Sequence, residues 1–230
     1  MGLLRSRFAA LALLVALGSA SPAAQPDDWA NLARYREANR ALTAKDARRV
    51  IFMGDSITEG WGSQPFIRDN PHFVDRGISG QTAPQMLVRF RSDVVALRPA
   101  VVHVMAGTND IAGNTGRESE DEIFGHIVSM VELARANHIK VILASVPPAA
   151  DFWWRRGLDP APKIKSLNTR LKAYATRHGI VYADYWRVMS SGEGAMKPAY
   201  SDDGVHPNVR GYEVMRPIAQ AAIALAMRGR

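Results

Sequence analysis

The 230 residues carry 29 Lys+Arg against 22 Asp+Glu, are 47% hydrophobic and 22% charged, and include no cysteine. That length supports one domain with a substantial core, and the balance of apolar to charged residues excludes the disordered and fibrous classes. Without cysteine there is no disulfide, thiolate metal site or lipid-modified cysteine, so the core alone must hold the fold.

Residues 1–24 differ in kind from the rest. Arg5 and Arg7 precede an unbroken apolar run at 8–17, and small residues with alanines at cleavage-compatible spacing fill 18–24. This three-part pattern predicts a secretory signal peptide, cut between 20 and 25, and export of the remainder as a single domain over 25–230 to the periplasm or the medium. The apolar run is too short for a comfortable membrane span. An uncleaved leader would instead tether the protein. Loss of Arg5 and Arg7 leaves 27 basic residues against 22 acidic ones, a net +5. Those basic residues are scattered, without aromatic interleaving, so nucleic acid is not an expected partner.

In chain order, 28–44 sets Trp29, Leu32, Ala33, Tyr35 and Leu42 close to helical spacing behind capping acids, which predicts an amphipathic packing helix. Residues 49–53, apolar, partly β-branched and closed by Gly54, predict a buried parallel strand. Gly60, Trp61, Gly62 and Pro65 predict a loop-rich stretch. A second strand is expected at 73–77. Thr82 then caps a helix to about 97, which Pro99 closes. Residues 100–106, AVVHVMA, are the clearest buried strand. Ile123, Ile127, Met130, Val131 and Ala134 mark a helix over 118–137, followed by a strand at 140–146 that Pro147 and Pro148 stop. The irregular stretch 149–162, with its Phe152-Trp153-Trp154 cluster, is long for a compact domain, and such loops are usually functional. A helix at 163–178, a strand at 180–183, a loop through Gly192 and Gly194, and a helix at 208–227 complete the chain.

Strands alternating with helices predict an α/β protein, a parallel sheet covered on both faces. Right-handed crossovers carry the carboxyl ends of all strands to one edge, where such sheets bind ligands. Gly54-Asp55-Ser56, Gly77-Ile78-Ser79-Gly80 and Gly107-Thr108-Asn109-Asp110 each follow a strand. Asp203-Gly204-Val205-His206 precedes the last helix and can fold over the same edge. A serine nucleophile needs a base, a group that orients the base, and donors for the oxyanion, and these segments offer all three. Each also has a plainer reading. Ser56 after Asp55 suits a helix start, and His206 before Pro207 suits the entry to the last helix. Asp202 competes with Asp203, Gly77 competes with Gly80, and Asn109 suits a turn.

Taken in order, the four segments resemble the sequence blocks of the SGNH or GDSL-type hydrolases, a family of esterases, lysophospholipases, thioesterases and carbohydrate acetylesterases. Each block alone is common; the four in order, at strand ends, are specific. The likeness runs from Arg48 through the last helix. It implies a three-layer flavodoxin-like sandwich whose five parallel strands lie in the order 2-1-3-4-5. It further implies Ser56 as nucleophile, His206 as base, Asp203 as the residue orienting His206, and an oxyanion hole made by the Ser56 and Gly80 N–H groups and the Asn109 amide. No metal or other cofactor is expected. His72, His126, His138 and His178 share no metal-ligand spacing, and His103, inside a strand, reads as a core imidazole.

Asp55 and Asp110 flank the proposed site as hydrogen-bond acceptors, while Trp61, Trp153 and Trp154 suit either packing or substrate contact. The expected activity is hydrolysis of short, acetyl-like esters, carried on small molecules or on a carbohydrate polymer. Lysophospholipid or thioester hydrolysis is the alternative within the enzymes, and a catalytically silent carbohydrate-binding module the alternative outside them. No stable membrane insertion is expected once the leader is removed.

Overall fold

A computed structural model of the chain describes residues 28–42 and 46–228. The expected leader and its cleavage region lie outside these residues.

Five parallel strands form one sheet in the order β2-β1-β3-β4-β5, with β1 at Val50–Gly54, β2 at Phe73–Gly77, β3 at Val101–Met105, β4 at Lys140–Ala144 and β5 at Val181–Ala183. The central strands β1 and β3 are buried at every position, as their continuous apolar sequences require. Alternate side chains sort to opposite faces. Ile51, Met53, Val102, Val104, Val141 and Leu143 meet the helices α4 (Ala83–Asp93), α6 (Glu120–Ala136) and α7 (Pro160–His178). Val50, Phe52, Val101, Met105 and Ile142 meet the helices α2 (Ser56–Gly62), α8 (Tyr185–Met189) and α9 (Val209–Arg228). The result is the three-layer α/β sandwich, and the strand order, that the resemblance implies.

The chain signals its helix starts locally. Thr82 and Gln85 form a capping box at α4, and Ser119 and Glu122 form another at α6. Pro160 opens α7 three residues before the expected start, and Gly179 closes it in the left-handed conformation.

Two expectations fail. Only α1, Arg36–Ala41, is helical in the segment expected to form a helix over 28–44, and it buries no residue; positions 43–45 lie outside the described residues. Trp29 is 48% exposed, and Asn31 has φ of 57°, which interrupts any helix there. The segment runs through successive turns and is held to the body as a strap: Gln81 Nε2 donates to Ala30 O at 2.8 Å, and Gln85 Nε2 donates to Trp29 O at 2.7 Å. The stretch after Ser56 is not a loop but helix α2, followed by the short α3, Pro65–Arg68. Its glycines are matters of space, since a Cβ on Gly60 or Gly62 would lie 2.5 Å from the Tyr212 hydroxyl or the Asp75 carboxyl.

Arg89, one of the basic residues scattered along the sequence, is fully buried in α4. Its guanidinium pairs with Asp93 at 3.1 Å and donates to Gln81 Oε1 at 2.6 Å and to Gly54 O at 3.0 Å. It thus ties the end of β1 to the loop after β2. Replacing Arg89 by alanine leaves the buried Asp93 carboxylate without its cation and Gln81 Oε1 without the guanidinium donor, and should cost ~3–5 kcal/mol in urea unfolding. A loss below about 1 kcal/mol would show that water reaches the site.

Candidate active site

Strand ends assemble the site. β1 ends at Gly54, and Asp55 caps α2 by accepting from the Ile57 N–H at 3.0 Å, which leaves Ser56 as the first residue of the helix. In that position the Ser56 N–H has no intrahelical acceptor. β2 runs through Gly77 into Ser79 and Gly80. Gly80 has φ of 77°, a conformation that favours glycine, and its N–H meets no protein acceptor among the described residues. β3 leads through Gly107, with φ of 130°, into the short helix α5, Thr108–Ala112, which carries Asn109 and Asp110.

The fourth segment closes over this edge. Asp203 Oδ1 accepts from the Val205 N–H at 2.9 Å, the His206 N–H at 2.8 Å and the Ser201 hydroxyl at 3.1 Å, winding the loop tightly before α9. The other carboxylate oxygen, Oδ2, lies 2.6 Å from His206 Nδ1, and His206 Nε2 lies 2.9 Å from Ser56 Oγ. Asp202 turns away and accepts from the Asn208 amide at 3.2 Å. Tyr212 on α9 donates to Ile57 O at 2.9 Å, locking the helix that follows His206 to the one that begins with Ser56.

Burial works to raise the Asp203 carboxyl, but the hydrogen bonds from the His206 ring and from the His206 and Val205 N–H groups outweigh it and hold the group at about 2. The carboxylate is therefore an acceptor only. The proton between the two residues sits on Nδ1, and the Nε2 lone pair faces the Ser56 hydroxyl. Such an arrangement can take a proton from serine as its oxygen attacks a carbonyl, and hold the resulting imidazolium.

Asn109 is 3% exposed and its amide is fully engaged. Nδ2 donates to Gln81 O at 3.1 Å and, over a longer 3.3 Å, to Asp55 Oδ2. The Asp55 contact holds its hydrogen the more weakly, leaving it the easier one to share with an oxyanion. Burial pushes the Asp55 carboxyl up to about 6, against the Ile57 N–H bond and the His206 ring.

Asp110 caps α4 by accepting from the Ala83 N–H at 2.7 Å, while its second oxygen is buried without a partner. Burial and the neighbouring Glu118 push it up to about 7, with the Ala83 N–H opposing. The folded protein therefore keeps a proton that the unfolded chain releases near pH 4. This contribution is complete below the unfolded value and is lost as pH rises through about 7. Urea unfolding should show stability falling between pH 4.5 and 8, with Asp55 and Asp75, both pushed up to about 6, acting in the same sense, and Asp110→Asn should remove its own share of that fall, roughly 2–4 kcal/mol. An unchanged slope in the variant would assign the effect to other groups.

The tryptophans separate. Trp61 is fully buried among Phe52, Phe66, Tyr185 and Tyr212, because α2 turns it onto the sheet; it cannot meet a substrate, which corrects that expectation. Trp153 is 58% exposed, and the ring of Trp154 lies 6.3 Å from that of His206. His103 is a core imidazole, 2.8 Å from the Tyr185 hydroxyl and pushed down to about 3 by burial. Among the described residues, no three His, Asp or Glu side chains converge as metal ligands. No described helix is long and apolar enough to cross a membrane.

A cleft of about 650 Å³ lined by Arg135, His138, Lys140 and His178 lies at the amino edge of β4 and β5, the opposite edge from Ser56. Its basic residues sit where α6 and α7 end, and they complement those helix dipoles. Sequence reasoning missed Glu59, which accepts from the Ser79 N–H at 2.9 Å, and it missed Gln81 and Arg89 behind the same loop. No local pattern marks them, since each acts across elements.

A family model described as GDSL-like Lipase/Acylhydrolase matches residues 52–214. A Bacteroides fragilis NCTC 9343 chain given the provisional name acylhydrolase superposes with a TM-score of 0.85 at 54% identity, covering 87% of this chain and 99% of that one. A GDSL-like lipase from Bacteroides thetaiotaomicron VPI-5482 does so with a TM-score of 0.83 at 49% identity, covering 86% and 99%. The uncharacterized lipoprotein YqeF of Bacillus subtilis strain 168 is 34% identical over an alignment of 117 positions that covers 43% of this chain and 48% of that protein. The chain thus spans about half the length of the curated relative it matches.

Proposed function

This chain belongs to the GDSL-like Lipase/Acylhydrolase family, and from that premise we propose that it is an exported serine esterase that hydrolyses short acyl esters, acetyl above all, borne on carbohydrate. Ser56 is the nucleophile and His206 the base, and Asp203 holds His206 in the required tautomer. The Ser56 and Gly80 N–H groups and the Asn109 amide receive the oxyanion. One observation carries this reading: the unbroken hydrogen-bond chain from Ser56 Oγ through both ring nitrogens of His206 to Asp203.

The reaction proceeds in two steps. Ser56 Oγ attacks the ester carbonyl as its proton passes to His206 Nε2, and the imidazolium returns that proton to the departing alcohol. Water, deprotonated by the same nitrogen, then releases the acid and restores Ser56.

The substrate class rests on Trp153 and Trp154. Their rings lie 5.4 Å apart at 76°, with Trp154 the one beside His206, an L-shaped apolar wall suited to sugar rings. Export is supported by the pattern of residues 1–24 and agrees with the lipoprotein name of the Bacillus subtilis relative. The mature chain, 25–230, is taken as a single domain.

An acyl-chain-length series on the mature protein, run beside acetate release from acetylated polysaccharide, tests the substrate. The rate is expected to be highest for acetyl and to fall steeply with chain length. A preference for long-chain esters would replace this substrate with a lipid. Saccharide binding with no labelling of Ser56 by a fluorophosphonate would replace the enzyme with a binding module.

A further inference from the structure

Asn114 lies outside the four sequence blocks, just beyond α5, where Gly113 ends that helix with φ of 72°. Its side chain nevertheless touches three parts of the site. Nδ2 donates to Asn109 Oδ1 at 2.8 Å and to Gly80 O at 3.1 Å, and Oδ1 accepts from Trp154 Nε1 at 3.1 Å. Both amide hydrogens are thereby used.

Each contact constrains a different group. The first turns Asn109 so that its oxygen faces Asn114, and its two N–H bonds must then point at Asp55 and Gln81. The second holds the carbonyl of Gly80, whose torsions no Cβ restrains, and so restricts the backbone about the Gly80 N–H. The third reaches the tryptophan loop, where Trp154 stacks on the buried Phe152 at 5.0 Å and stands beside His206.

We propose that Asn114 is a positioning residue: it aims the Asn109 amide and the Gly80 N–H at the oxyanion and couples both to the tryptophan wall. This rests on the serine-esterase reading of the site. A residue that merely closed the loop after α5 would act on stability. Asn114 is exposed, so water competes for its bonds and their loss costs little folding free energy. Aim, by contrast, matters steeply, because a donor displaced from the developing charge no longer stabilises it.

Asn114→Asp keeps the acceptor for Trp154 and replaces both donors by lone pairs, and Asn114→Ala removes them without adding charge. Either variant is expected to lower kcat on 4-nitrophenyl acetate by about 10- to 100-fold, with KM within about threefold and Tm nearly unchanged. In an Asn109→Ala background the same change should cost distinctly less than in the wild type, because one of the two donors it acts through is gone. Trp154→Phe keeps an aromatic ring for the stack but removes the indole N–H together with one of the two fused rings. It should lower kcat several-fold beside Asn114, but not beside the Asp variant.

Equal losses in the presence and absence of Asn109, or a fall in Tm that accounts for the lost turnover, would overturn the inference. A wild-type protein that neither cleaves the ester nor labels at Ser56 would overturn the esterase reading and this inference together. A wild type that does both, with the Asn114 variants equal to it, would overturn the inference alone.

Discussion

Ser56→Ala is expected to reduce turnover of a short-chain aryl ester by about ten-thousandfold or more, with Tm unchanged. The size of the effect follows from the chemistry: without the hydroxyl no acyl-enzyme forms, and what remains is water attacking a carbonyl that the oxyanion donors still polarise. The fold should not respond, because α2 is started by Asp55, which accepts from Ile57 N–H, and anchored by Ile57 and Trp61 in the core. Residual activity should therefore be small but measurable, and labelling by a fluorophosphonate should vanish. Near-normal hydrolysis by this variant would mean that another group forms the bond to the substrate.

Asp203→Asn should be nearly as damaging, with kcat down by about ten-thousandfold. Three donors, from Ser201, Val205 and His206, converge on Oδ1, so the amide oxygen of an asparagine must take that place. Its NH2 group then replaces Oδ2 and donates to His206 Nδ1. That stabilises the tautomer with the proton on Nε2, where it faces Ser56 and blocks proton removal. The loop should stay folded, since all three bonds to Oδ1 survive. A kcat within tenfold of wild type, with Tm preserved, would show that tautomer control is not what Asp203 supplies.

Residues that act through short-range chemistry were legible in the sequence. Gly54-Asp55-Ser56 stops a buried run, Thr82 and Gln85 announce a helix start, and AVVHVMA has the composition of a strand buried on both faces. From these, the α/β class and the common edge for Ser56, Gly80 and Asn109 follow by the handedness of crossovers, an edge that the His206 loop can reach. Misreadings fell where neighbours in space outweigh neighbours in sequence. Gly60 and Gly62 suggest a loop, yet they lie inside α2, where the Tyr212 and Asp75 side chains occupy the space a Cβ would need. Trp29, Leu32 and Tyr35 suggest a packing helix, yet Gln81 and Gln85 capture the backbone of that segment as a strap.

The chain by itself determined which residue types reach the reactive edge, because strand periodicity and the hand of the crossover are local consequences of backbone chirality and apolar burial. Tertiary structure alone decided which of their atoms meet there. Hydrogen bonds form over about 3 Å between segments as far apart as Ser56 and His206, so the contact between those two residues, the burial of Trp61 and Arg89, and the grip of Asn114 on Asn109 depend on packing that no stretch of sequence contains.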